Sequence, residues 1–260
     1  MKKLLLILLC LPMIGFGQNV NIPDAIFKAY LVGNTAINTN GDTEIQLNEA
    51  NAYSSYISPA GLNISDLTGI EAFTSLTDLA VHWNQLTSLD LSQNTSLETL
   101  SCSNNQLTSL DLSQNIALTY LICDNNQLTS LDLSNNINLW LLQCGNSQLQ
   151  CLNIANGNNV NLTDCGISFC PLLYCIEADD SVYMNNNWQQ HFNPIDSQYY
   201  FSNNCSNFCS SITSLIQEHT TNKELLKVTD LSGREVNEKR NTLLFYLYND
   251  GTVEKKIIIE

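Results

Sequence analysis

Leucine returns every 21 residues along the middle of this chain. Leu76, Leu97, Leu118 and Leu139 stand in one column, Leu79, Leu100, Leu121 and Leu142 in a second, and Leu89, Leu110, Leu131 and Leu152 in a third. Leu91, Leu112, Leu133 and Ile154 make a fourth, with Asn84, Asn105 and Asn126 in step between them. A unit this short cannot bury its apolar face alone, so the copies must stack into a coil with a continuous core and two capped ends. Six apolar side chains per unit supply roughly 12 kcal/mol, against 1–2 kcal/mol of backbone entropy for every ordered residue, and one unit by itself does not fold.

Written from Leu97, the unit reads LETLSCSNNQLTSLDLSQNIA, and its first eleven residues fit L-x-x-L-x-C-x-x-N-x-L. The spacing suits a short parallel strand with apolar side chains inward, then Asn105 turned in to satisfy buried backbone at the bend. TSLDLSQN alternates at period two and predicts a second extended segment on the opposite side of the coil. This pattern resembles the leucine-rich repeat family. The expected fold is a mostly β (α+β) repeat solenoid, a leucine-rich repeat horseshoe of 21-residue repeats and parallel strands. It carries a small N-terminal helical cap, a disulfide-bearing C-terminal cap and a short β tail domain.

Charge divides the chain. Residues 18–210 hold one cation, Lys28, and 17 carboxylates, a net of −16, whereas residues 211–260 hold seven cations and eight carboxylates. The change near residue 210 marks a domain boundary. A body without arginine at that charge repels phosphate backbones, which argues against nucleic acid as a partner.

Lys2 and Lys3 followed by LLLILLCLPMIGF form a secretory signal peptide over residues 1–17, with Gly15 and Gly17 as small residues before cleavage at Gln18. No other stretch has the run of apolar residues that a membrane span needs. Near the other end, LLKVTDLSGREV, LLFYLY and TVEKKIIIE read as short strands, with Asp250-Gly251 a hairpin signal. The run from Leu225 to Val236 and the ending DGTVEKKIIIE resemble the C-terminal sorting tails of type IX secretion substrates in Gram-negative bacteria. That resemblance implies export across the outer membrane and recognition of residues 211–260 by secretion machinery.

Residues 18–63 form the expected N-terminal cap. Pro23-Asp24 start a helix with Ile26, Phe27, Tyr30 and Leu31 on one side, covering the first repeat. Asn38, Asn40, Asp42, Glu44, Ile45 and Glu49 follow, in a spacing that resembles the calcium loop of an EF-hand. Asn38 replaces the leading Asp, and Thr43 stands where a Gly permits the sharp turn, so the alternatives are a calcium site and a polar capping loop. No other cofactor is implied.

The repeats are expected over residues 64–160, opening on ISDLTGIEAFTSL, which resembles the entry segment of leucine-rich repeat proteins. Cys102, Cys123 and Cys144 hold one inward position in successive repeats and should stack as small core hydrophobes about 4.8 Å apart. Cys151, Cys165, Cys170, Cys175, Cys205 and Cys209 lie beyond them and suit disulfides better than zinc in an exported protein. Over residues 161–210, LLYCIEADD, Trp188, Asp196 and FSNNC resemble the closing cap of secreted bacterial leucine-rich repeat proteins, and that resemblance suggests Cys175 to Cys205.

His82, His191 and His219 are scattered, and no metal-protease helix, phosphate loop or nucleophile elbow appears, so no enzyme is expected. Asp90, Asp111 and Asp132 form an acidic column on the second extended segment. Candidate binding residues are the outward positions of the first strand, anchored by His82, Trp83, Tyr120 and Trp140 with Asp78, Ile122 and Asp124. The expectation is a secreted or surface protein that binds an extracellular protein or glycan. The alternative is a structural surface protein without a discrete ligand.

Overall fold

The computed structural model describes residues 18–145, 147–187, 199–205, 225–229, 243–248 and 253–257. The signal peptide expected over residues 1–17 lies outside them. The chain forms two compact units, Met1–Cys209 and Ser210–Glu260.

The first unit opens with helix α1 (Ala25–Val32), capped by Asp24, whose Oδ1 accepts from Ile26 N at 2.9 Å and Phe27 N at 3.0 Å. Its other carboxylate oxygen accepts from Ser65 N at 3.0 Å, tying the cap to the first repeat. Phe27 and Leu31, one turn apart, are buried, and the Tyr30 hydroxyl accepts from Ser58 N. Ile26, expected beside them, is exposed: a helix of eight residues buries only a narrow stripe, and position 26 falls off its edge. Helix α2 (Leu47–Ala52) and strand β1 (Tyr56–Ile57) complete the cap.

The coil follows as β2 (Asp78–Ala80), β3 (Thr99–Ser101), β4 (Tyr120–Ile122), β5 (Ser130–Asp132), β6 (Leu141–Gln143), β7 (Cys151–Asn153) and β8 (Asp164–Gly166). After these come β9 (Cys175–Glu177), helix α3 (Ser181–Asn187) and β10 (Tyr200–Ser202). A first parallel sheet runs β1-β2-β3-β4-β6-β8. Its register pairs Leu79 with Leu100, Leu100 with Leu121, Leu121 with Leu142 and Leu142 with Cys165, so the 21-residue columns become stacks of side chains. The second extended segment becomes a second parallel sheet, β5-β7-β9-β10, stacking Leu131, Leu152, Ile176 and Phe201. The leucines of these columns in the two sheets face each other across one core and are buried.

Asparagine side chains lace the turns together. Asn105 Oδ1 accepts from Leu86 N, while its Nδ2 donates to Val81 O and Cys102 O, all at 3.0 Å. Asn84 and Asn126 repeat the pattern. A second column does the same work on the other side: Asn94 Nδ2 donates to Ile70 O and Phe73 O, Asn115 Nδ2 to Leu91 O and Asn94 O, and Asn136 Nδ2 to Leu112 O and Asn115 O. The Oδ1 atoms of these three are buried and accept no hydrogen bond among the described residues.

Cys102, Cys123 and Cys144 stack in the core as expected, and burial pushes the Cys102 thiol up to about 12. Cys175 and Cys205 form the disulfide that the closing-cap resemblance suggested, with Cα atoms 5.9 Å apart, and Cys151 is disulfide-bonded as well. Cys165 and Cys170, expected among the disulfide cysteines, are instead buried thiols. The reason is that the coil continues beyond residue 160. Cys165 extends the Leu79–Leu142 column, and Cys170 succeeds Ser147 in the line of Asn84, Asn105 and Asn126.

In the second unit, β11 (Leu225–Thr229), β12 (Leu243–Tyr248) and β13 (Val253–Ile257) form an antiparallel sheet in that order, with Leu247 paired to Val253. The expected turn residues Asp250 and Gly251 lie outside the described residues. Among the described residues no helix is long and apolar enough to cross a membrane.

Candidate functional site

The parallel register converts the outward positions of the first sheet into a grid. One column carries Asp78, Thr99, Tyr120, Leu141 and Asp164; the next carries Ala80, Ser101, Ile122, Gln143 and Gly166. Tyr120 and Ile122 are half-buried and Leu141 is buried. Trp140 sits just before β6, its backbone N–H donating to Thr119 O, and the residue is 45% exposed. It meets the Tyr120 ring edge to face at 5.9 Å between centroids. The centre of the face is therefore apolar and aromatic.

Carboxylates lie beside this centre and further along the face. Asp124 Oδ1 accepts from Gly145 N at 2.7 Å; burial raises the Asp124 pKa above the ordinary carboxylate range, and that N–H offsets only part of the rise. Asp164 Oδ1 accepts from Gln143 Nε2 at 3.2 Å, and Asp78 Oδ2 from Thr77 Oγ1 at 2.7 Å. His82 Nδ1 shares a hydrogen bond with Ser101 Oγ at 3.3 Å. The structure thus groups Tyr120, Ile122, Asp124 and Trp140, with Asp78 and His82 on the turn two rows away.

Trp83 differs from what its sequence position implied. It lies in the turn after the strand, at φ 57°, where the next repeats place Asn104 at φ 54° and Asn125 at φ 55°. Asn tolerates the left-handed region; a bulky aromatic there is strained. Trp83 is also 65% exposed, so strain and exposed apolar surface coincide at one residue. Phe169, at φ 62° and 48% exposed, repeats the combination further along the chain.

The loop with calcium-site spacing is arranged as a cap. Glu49, almost fully buried, accepts from Thr39 N, Thr39 Oγ1 and Asn40 N on one oxygen and from Gln46 N on the other, closing a capping box on α2. Burial alone would raise its pKa, but these donors outweigh it and hold the carboxyl below 4.5. Asp42 takes both Asn40 Nδ2 and Gln46 Nε2, Asn38 bonds Val32 O, Asp42 O and Gly41 N, and Glu44 is paired with Lys28 at 2.7 Å. Each of Asn38, Asn40, Asp42, Glu44 and Glu49 makes hydrogen bonds or an ion pair within the protein, and among the described residues there is no group of three or more His, Cys, Asp or Glu placed to hold a metal ion.

The acidic column of Asp90, Asp111 and Asp132 has a local role, each Oδ1 accepting from the backbone N–H two residues on, at Ser92, Ser113 and Ser134. His191 and His219 lie outside the described residues. Reading the sequence missed the second asparagine column and the strained turn. The available signals were the strict recurrence of Asn94, Asn115 and Asn136 beside changing neighbours, and Asn104 and Asn125 in the column of Trp83.

No protein-family model matches the chain, and no curated protein is significantly similar to it. Among solved structures it is similar to the functional domain of InlJ from Listeria monocytogenes, described as including a cysteine ladder. The two are 33% identical with a TM-score of 0.51, over 62% of this chain and 38% of that one. Two further Listeria monocytogenes structures align: the internalin inlF, at 20% identity and TM-score 0.49 over 65% of this chain and 55% of that one, and the internalin inlC2. The latter is 19% identical, with TM-score 0.42, over 65% of this chain and 93% of that one. This chain spans well under two thirds of the InlJ and inlF structures. The fold is a leucine-rich repeat solenoid, and the chain is a leucine-rich repeat protein by architecture.

Proposed function

We propose that this is a secreted or surface-displayed leucine-rich repeat protein that binds an extracellular protein or glycan through the outward face of its first sheet and does no chemistry. The observation that carries the reading is Trp83, a strained backbone holding an exposed indole at the rim of a face centred on Tyr120 and Trp140. Backbone strain persists where a site needs the side chain it presents. The structural likeness to the InlJ domain supports an interaction role. Saturable binding of the full chain to extracellular proteins or glycans, lost on Trp83→Ala plus Tyr120→Ala in a protein that still unfolds cooperatively, is the expected result. Substitutions that change stability alone would favour a structural surface protein.

Export by the type IX system is part of the proposal and rests on the tail's sequence resemblance. Fractionation with intact mass, comparing the full chain with one truncated after Ser210, tests it. The full chain should appear outside or on the cell surface without residues 211–260, and the truncated one should stay in the periplasm. Both forms in the periplasm, tail intact, would end the sorting reading.

A further inference from the structure

Around the Tyr120–Trp140 corner the charge is of one sign. Asp124 and Asp164 flank Ile122 and Leu141, and the single cation of residues 18–210, Lys28, is paired with Glu44 on the cap. Asp124 decides what can close over this face. Its carboxylate is half-buried, with Gly145 N as its donor at 2.7 Å, and burial already works against its charged form. An apolar or acidic partner would strip the remaining water without replacing it, at a direct cost to binding, and a neutral hydrogen-bond donor would replace the water but not compensate the charge.

A guanidinium or ammonium group replaces that water with charge-assisted donors, and the half-exposed Trp140 indole attracts the same groups through its ring face. From Tyr120 to Asp124 the strand direction covers four residues, roughly 13 Å, a span that two basic side chains of one extended segment can bridge. We propose that this face takes an extended cationic segment of a partner protein, one Arg or Lys over the Tyr120–Trp140 corner and a second at Asp124. This inference rests on reading the face as the binding surface.

The test uses the full chain against immobilised peptides of one length: Arg alternating with Leu, the same with Gln for Arg, the same with Glu for Arg, and a neutral hexasaccharide. Expected is selective retention of the Arg peptide, falling with added salt. It should weaken at least tenfold in Asp124→Asn plus Asp164→Asn and in Trp140→Ala, and hold within twofold in Asp90→Asn plus Asp111→Asn, which removes equal charge elsewhere. Equal loss in both double variants would reduce the effect to net charge and overturn the proposal. Retention of the Gln peptide, Glu peptide or hexasaccharide instead, lost in Trp140→Ala, would overturn the cationic partner and leave the binding face standing. No probe responding to Trp140→Ala would overturn both.

Discussion

Trp140 meets Tyr120 edge to face at 65° between ring planes, although the two come from adjacent turns and from different positions in their repeats. Tyr120 begins β4, and Trp140 precedes β6 by one residue, so the pair bridges the grid diagonally.

That contact predicts energetic coupling between turns. In a double-mutant cycle of Tyr120→Ala and Trp140→Ala, read by urea unfolding, the pair should show about 1 kcal/mol of interaction energy. Strict additivity would mean that the rings stabilise the coil independently.

At Trp83 stability and binding should move in opposite directions. Trp83→Asn restores the residue type that the next two repeats use at this left-handed position, and it should stabilise the protein by about 1 kcal/mol. The same variant should lose partner binding. Destabilisation would mean that the indole packs better than its exposure implies.

The leucine columns and the Asn84–Asn126 column were legible because burial repeats with the chain's own period. Asn94, Asn115 and Asn136 were not, because SQN and SNN look like solvent-facing turn residues until the coil shows their amides reaching backbone of the preceding turn. Trp83 looked like a strand residue because outward strand positions and the turn after them are both variable. The place of Cys165 and Cys170 in the coil is hidden in the sequence because a 23-residue step from Cys144 to Ile167 breaks the 21-residue count.

Asn115→Ala should cost about 2 kcal/mol, since it removes the amide's hydrogen bonds to the carbonyls of Leu91 and Asn94, each of which keeps only one backbone donor, Asn94 N and Leu97 N. Gln114→Ala, one residue away and exposed, should stay within about 0.5 kcal/mol of the parent. Equal effects would show that the second asparagine column carries no special load.

Glu49 makes stability depend on pH in a definite direction. Its folded pKa lies below the ordinary 4.5, so its contribution is complete above pH 4.5 and is lost as pH falls through the folded value. Glu49→Gln should therefore destabilise by about 2 kcal/mol at neutral pH, with the gap closing in acid. Urea unfolding across a pH series checks this, and a gap that widens in acid would contradict the sign.

Cys102, Cys123, Cys144 and Cys165 should resist iodoacetamide in the native protein at mildly alkaline pH, because burial both shields these thiols and raises their pKa values. All four should label after denaturation. Fast native labelling of any one, by peptide mass, would place it at the surface.

Each asparagine amide of the two columns reaches back by about one turn and no further, so the coil is measured in whole repeats. Duplicating or deleting one 21-residue unit between Leu76 and Leu139 would leave the remaining asparagine columns with the same kind of backbone partner at each junction. The outward face of the first sheet can then lengthen in steps of one strand while the caps stay unchanged. Tandem copying of a single gene segment is enough to produce coils of different span.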